Sequence, residues 1–374
     1  MRLVAVVDSL GLGGAERLLV TLARHAPSAD LQLEVLALRD VGATVVTEGL
    51  AAEGVDVRYV PTRCRHHLAD PRRLVRLARE LRRAGPDVVQ THLGTANVLG
   101  VAAARLSGVP VVATLHNVRL EAEGLRQRTE DAALRRADAI VAVGEEVART
   151  HGAALAPRPI TVVPNPVDPA VLAPRDGGAA AIRGELLGSG PGPLVLAVGR
   201  LEPQKAHSVL LDAVSRLVRR HPGLVLAVAG QGRLAADLCD QADALGLGGH
   251  VRLLGARRDV ADLLAGADLF VNASHYEGLP LVVLEAMAAG TPVVATDAGD
   301  VRAVVDGAGL VVPPGDPSAL ATGMGELLGD DRSARLYAER GRQIVRERYH
   351  PTGWVERLRA VYDVAGGLVP AAAS

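Results

Sequence analysis

The sequence predicts an α/β protein made of two doubly wound domains, and three observations carry that expectation. Its 374 residues exceed the ~100 to 200 usual for one domain. Short β-rich apolar runs alternate with longer helical patterns, the order of parallel βαβ units. A stretch too rich in Gly and Pro for regular structure, 188–193 (GSGPGP), breaks that alternation near mid-chain.

Taken in order, the first half offers strands over 3–7, 33–38, 55–60, 88–90, 111–115, 139–143 and 160–163. Helical patterns over 15–24, 72–83 and 96–107 fall between several of them, so one open parallel sheet can hold the set. After the break, strands are expected over 194–198, 224–229, 251–254, 269–272, 293–295 and 310–312, with helices over 207–220, 233–245, 281–289 and 317–328. The irregular composition of 173–184 extends the break, which gives a first domain over 1–172, a linker over 173–193 and a second domain over 194–350. Folds of this kind bind ligands at the carboxyl ends of their strands, and two facing sheets would leave a cleft between domains.

Composition narrows the function classes. The 41 basic and 42 acidic residues nearly cancel, which argues against whole-chain attraction to nucleic acid or anionic membrane. Aromatic residues at 2% are too few for the stacking platforms of single-strand binders. Cys64 and Cys239 form no CxxC pair, so neither a disulfide framework nor a thiolate zinc site is indicated and a reducing cytoplasm fits. The apolar run at 3–7 is too short for a signal-peptide core, and no run of about 18 apolar residues suggests a membrane span.

Two carboxylates draw attention first. The segment from Ser274 to Ala289 sets Glu285 in a helix that is otherwise apolar all round, where an ionised group costs several kcal/mol, about 3 or more, unless it is paired. Gly278 and Pro280 place the helix start near Leu281, leaving Glu277 in the preceding loop. Free NH groups at that helix mouth suit phosphate, while carboxylates suit sugar hydroxyls; a phosphorylated sugar satisfies both, and a structural salt bridge for Glu285 is the plainer alternative. Gly199, Arg200 and Lys205 directly follow the 194–198 strand, and Lys205 is the only lysine in the chain. An ammonium and a guanidinium five positions apart can neutralise a diphosphate leaving group together, although a solvated turn would look the same.

Weaker signals follow. Gly11-Leu12-Gly13-Gly14-Ala15-Glu16 follows the first strand, but Glu16 stands where a dinucleotide fingerprint needs Gly, which disfavours a nicotinamide cofactor. His116 and Asn117 end the fifth strand and His92 the fourth, positions open to a structural or a functional role. His66 and His67, near Cys64, lack ligand spacing, and no Asp-x-Asp occurs, so no metal is expected. The helix over 72–83 carries Arg72, Arg73, Arg76, Arg79, Arg82 and Arg83 opposite apolar positions. Such a helix is an ordinary surface helix or a peripheral contact with anionic lipid at the inner membrane face.

These residues together resemble the GT-B retaining glycosyltransferases of family 4 over nearly the whole chain. Glu277-Gly278-Leu279-Pro280 through Glu285 to Thr296 resembles the family's E-x7-E segment, and Gly199-Arg200-Leu201 with Lys205 its diphosphate clamp; 11–16, His116-Asn117 and Pro164-Asn165 add to the similarity. The resemblance implies Arg200 and Lys205 on the diphosphate, Glu277 on the donor sugar, Glu285 on the ribose and His116 at the sugar's reacting face. Gly13, Gly14, Leu281 and Val282 would belong to the donor site, and Gly255 and Arg257 would stand beside the base. It also implies a last helix, within 351–374, crossing back to the first domain. Ala206, Pro166 and Gln231 depart from the family's usual residues. The implied function is transfer of a sugar from a UDP- or GDP-sugar to a glycan, lipid or metabolite acceptor, with neither cofactor nor metal; a phosphorylase or epimerase on the same fold, or a silent sugar-nucleotide binder, is the alternative.

Overall fold

The computed structural model describes residues 1–11, 13–60, 71–119 and 124–368. Leu12, Cys64, His66 and His67 lie outside the described residues. The chain divides into two compact units, one formed by Met1–Pro166 together with the chain from Pro351 on, the other by Val167–His350.

The first unit runs β1 (Arg2–Ser9), α1 (Gly14–His25), β2 (Gln32–Arg39), α2 (Val45–Ala52), β3 (Val57–Tyr59), α3 (Pro71–Ala84), β4 (Val88–His92), α4 (Gly94–Ser107), β5 (Val111–Leu115), α5 (Leu125–Leu134), β6 (Ala139–Ala142), α6 (Glu145–Leu155) and β7 (Thr161–Val162). Among the described residues its seven strands lie in the order β3-β2-β1-β4-β5-β6-β7, all paired in parallel. β1, β4 and β5 are buried nearly throughout, as befits strands covered on both faces. Arg73 corrects the reading of α3 as a helix with six outward arginines: its side chain is buried and donates to the Leu38 carbonyl, while Arg72, Arg76, Arg79, Arg82 and Arg83 are exposed.

The second unit begins with α7 (Gly178–Leu187) and continues β8 (Leu194–Val198), α8 (His207–Leu217), β9 (Val225–Ala229), α9 (Ala235–Ala244), β10 (Val251–Gly255), α10 (Val260–Gly266), β11 (Leu269–Asn272), α11 (Leu281–Ala289), β12 (Val293–Thr296), α12 (Val301–Val305), β13 (Leu310–Val312), α13 (Pro317–Gly329) and α14 (Asp331–Arg348). The strand order is β10-β9-β8-β11-β12-β13, again parallel. The order reverses between β8 and β11, where an open α/β sheet has its ligand crevice.

The expected linker over 173–193 takes a different form. Its middle is α7, whose Ile182 and Leu186 are buried and which packs against α10, while Arg175 binds the buried Asp262. The division between units falls at 166–167 instead. The last helix, α15 (Pro351–Ala365), belongs to the first unit: Tyr362 is fully buried and donates its hydroxyl to Gln90 on β4 at 2.7 Å.

Candidate functional site

In the second unit, the loops leaving β8 and β11 meet at the reversal point. β8 ends at Val198, and the chain passes through Gly199 and Arg200 into a single 3-10 turn over Pro203–Lys205. Ala206 closes that turn with φ +47°, a left-handed conformation that glycine adopts without steric cost. β11 ends at Asn272, whose side chain accepts from the Ser274 NH at 3.0 Å, and the loop runs through Glu277 to α11.

Glu277 and Lys205 are the centre of the meeting. Lys205 Nζ lies 2.5 Å from Glu277 Oε1, the two side chains being 16% and 7% exposed. Ser274 Oγ donates to the same oxygen at 2.6 Å. Gln204 ties both loops together: its side chain donates to the Tyr276 carbonyl at 3.0 Å, and its own carbonyl accepts from the His275 NH at 2.8 Å. Arg200 is exposed and reaches the Gln204 side-chain oxygen at 3.3 Å. An exposed guanidinium, a half-buried ammonium and a buried carboxylate therefore stand on one strand-end shelf.

Glycines make the shelf close-packed. A side-chain carbon on Gly230 would lie 1.8 Å from the Gly199 carbonyl, and one on Gly232 would lie 2.3 Å from the Leu201 carbonyl. Gly299, at φ +61°, leaves room for the Glu277 carbonyl, which a side chain there would meet at 2.3 Å. Behind Lys205, His207 is buried at the start of α8; burial first and the Lys205 charge second lower its pKa to about 4.

The helix mouth follows. α11 begins at Leu281 with Pro280 as its N-cap and no side-chain cap, so its first NH groups are not taken by a capping side chain. Gly278, Leu279 and Pro280 are buried in the approach, Leu281 and Val282 are half-buried, and Glu285 is buried within the helix. Gly255 ends β10 at φ +66°. Arg257 is clasped by Asp259 at 2.7 Å and Glu185 at 2.6 Å, which raises its pKa and holds both carboxyls low.

His116, Gly13 and Gly14 belong to the first unit, at the same carboxyl end of its own sheet. Gly13 is the N-cap of α1, and the space it leaves is filled by Glu16, whose Oε2 would lie 2.0 Å from a side-chain carbon there. An anion approaching this turn must displace that carboxylate. His116 faces a partner that sequence reasoning did not pair with it, His92, with ring nitrogens 3.0 Å apart. Sequence reasoning also missed Ser274, Gln204, Gly230 and Gly299; the only advance signal was their position just beyond strand ends. Among the described residues no group of three or more His, Cys, Asp or Glu could hold a metal ion.

Comparison with known proteins agrees with this architecture. The family model Glycosyltransferase Family 4 matches residues 12–171, and Glycosyl transferases group 1 matches 180–344. A D-inositol 3-phosphate glycosyltransferase of Xylanimonas cellulosilytica is 36% identical over 304 residues, 74% of this chain and 71% of that one. The chain belongs to glycosyltransferase family 4. A glycogen synthase of Mycobacterium tuberculosis is 32% identical over 280 residues, which cover 69% of this family 4 chain and 64% of the synthase's own length. The solved structure of Anabaena HepE in complex with UDP-glucose superposes with a TM-score of 0.86 at 22% identity, covering 96% of this chain and 99% of that one. That likeness shows the GT-B fold of two Rossmann-like units.

Proposed function

We propose that the protein transfers a sugar from a nucleotide diphosphate donor to an acceptor hydroxyl, with retained anomeric configuration and no required metal. The observation that carries this reading is the Lys205–Glu277 pair, set between the two strand ends where the sheet order reverses. Arg200, Lys205 and the NH groups of Gly278, Leu279, Leu281 and Val282 would receive the diphosphate, and Glu285 the ribose hydroxyls. With phosphate bound, the ammonium is shared and Glu277 is released to accept from a sugar hydroxyl. Gly255 and Arg257 border the base, while His116 and the Gly13–Gly14 turn are assigned to the sugar's reacting face.

The acceptor oxygen attacks the anomeric carbon on the face from which the diphosphate departs. The carbon–oxygen bond to phosphate breaks, the electron pair leaves with the diphosphate, and a phosphate oxygen takes the acceptor's proton. Arg200 and Lys205 stabilise the charge that develops on the leaving group, the duty a divalent cation performs elsewhere. The UDP-glucose complex of HepE and a UDP-Gal-dependent galactosyltransferase of Escherichia coli among the relatives support a UDP-sugar donor. No described helix is long and apolar enough to cross a membrane. The exposed arginines of α3 support peripheral contact with anionic lipid, which co-sedimentation with phosphatidylglycerol vesicles would register and phosphatidylcholine vesicles would not.

The test is release of nucleoside diphosphate from a panel of UDP-, GDP- and ADP-sugars, with and without EDTA, and the anomeric configuration of the product by NMR. Release that survives EDTA, with a product of unchanged configuration, supports the proposal. Binding without release under every acceptor marks a silent binder, and turnover only with inorganic phosphate marks a phosphorylase.

A further inference from the structure

We propose that His92 is a positioning residue for His116: it donates its Nδ1 hydrogen to His116 Nε2 and so holds His116 as the Nδ1–H tautomer, with a hydrogen to offer a substrate oxygen. The inference deepens the transferase reading and rests on it for the substrate. The sheet brings the two rings together. β4 and β5 are parallel neighbours with His92 opposite Thr114, so His116, just past the end of β5, lies beside the last residue of β4. The rings are 5.2 Å apart at their centroids, tilted by 31°, and Nδ1 of His92 is 3.0 Å from Nε2 of His116.

Only one hydrogen fits between those nitrogens, and the other end of His92 decides which ring carries it. His92 Nε2 is buried with no hydrogen-bond partner. A hydrogen there would be an orphaned buried donor, which proteins tolerate less readily than an unused lone pair. The hydrogen therefore sits on Nδ1 of His92, His116 Nε2 accepts it, and a neutral His116 must carry its own hydrogen on Nδ1.

The backbone holds the arrangement. Leu93, the next residue, has φ +73° and ψ 162°, a region that side-chain-bearing residues rarely enter. Several bonds fix it there: the Asn97 NH donates to the Leu93 carbonyl at 2.7 Å, Thr91 bonds the Asn97 side chain at 2.8 Å, and the Ala96 NH donates to Asp8 at 2.6 Å. Charged and titratable groups of the surrounding elements include Asp8 near the end of β1, Arg126, Glu130 and Asp131 on α5, Arg119 beyond β5, His151 on α6 and Tyr362 on α15. None of them shifts either ring: burial, then His116, holds His92 well below its ordinary pKa, and burial lowers His116 to about 4. The pair therefore stays neutral at physiological pH, without the carboxylate that usually orients a catalytic histidine.

Histidine-selective 15N labelling tests this on the full chain without donor, with His116 assigned by the signals lost in His116→Gln. The expected spectrum shows His116 Nδ1 protonated and Nε2 bare. His92→Asn, whose amide can still donate from the Nδ1 position, should keep that pattern and the parent turnover. His92→Asp, which only accepts, should reverse the tautomer, raise the His116 pKa so that an acidic limb enters the kcat–pH profile, and lower kcat by about tenfold or more with little change in donor KM. A protonated Nε2 on His116 in the parent protein overturns the inference, as does a folded His92→Asp variant with unchanged tautomer and rate. Because the tautomer is read without substrate, its reversal refutes this inference alone; the assigned tautomer with no turnover of any nucleotide sugar refutes the transferase reading alone.

Discussion

Replacing Lys205 by Ala separates what its ammonium does for folding from what it does for chemistry. The ammonium is 2.5 Å from Glu277 Oε1, with side chains 16% and 7% exposed. Removing one member of a buried pair costs about 3 to 5 kcal/mol, and the bonds that Glu277 keeps from Ser274 and Gln204 bring the expected loss to about 2 kcal/mol. For a unit of this size that is a fall in Tm of about 4 to 8 °C. Turnover should fall further, about 10²- to 10³-fold, as when one preorganised charge-stabilising group is lost. The Lys205→Ala/Glu277→Gln double variant strands no carboxylate, so it should recover most of the Tm and none of the turnover. Scanning fluorimetry and initial rates of nucleoside diphosphate release measure the two effects on one preparation. The reasoning fails if Lys205→Ala keeps turnover within about threefold of the parent, or if the double variant regains activity along with stability.

Four further outcomes follow from the same geometry. Ala206→Gly relieves a left-handed φ of +47° and should raise the urea midpoint by the equivalent of about 1 kcal/mol. Gly299→Ala drives a side-chain carbon to 2.3 Å from the Glu277 carbonyl, so calorimetry should find donor affinity reduced by about tenfold or more; Gly246→Ala, equally left-handed but with nothing within 4 Å, should keep affinity. Glu285→Gln should weaken nucleoside diphosphate binding by about 1 to 2 kcal/mol in the same calorimeter, and equal affinity would remove Glu285 from the ribose. His207, neutral when folded because its pKa falls from 6.5 to about 4, takes up a proton on unfolding below pH 6.5. Its contribution is therefore complete above that pH and is lost as pH falls toward 4, so that His207 by itself removes about 2 kcal/mol of stability between pH 7 and pH 5. His207→Gln should show a smaller drop in Tm between those two pH values.

The strand pattern was legible because each buried strand is a short apolar run stopped by Gly, Pro or a charge. The predicted bounds of β5, β8, β11 and β13 coincide with the observed ones. α7 was hidden by its glycines, although Ile182 and Leu186 stand one helical turn apart and are the residues it buries. Lys205 and Glu277 were visible as chemical anomalies, but their pairing was not, since 72 positions separate them and only the strand order makes them neighbours. The same holds for His92 and His116. The resemblance put Gly13 in the donor site, and nothing in the sequence tells that Glu16 folds back over it.

The return of α15 to the first unit bears on how the chain matures. Vectorial synthesis usually lets an amino-terminal domain finish folding first. Here Gln90 waits for Tyr362, so the first sheet emerges early yet lacks its closing helix, while the contiguous stretch Val167–His350 has every residue it needs as soon as it clears the ribosome. Nascent-chain stalling before 351 should therefore leave a protease-resistant second half joined to a first half that is still digestible.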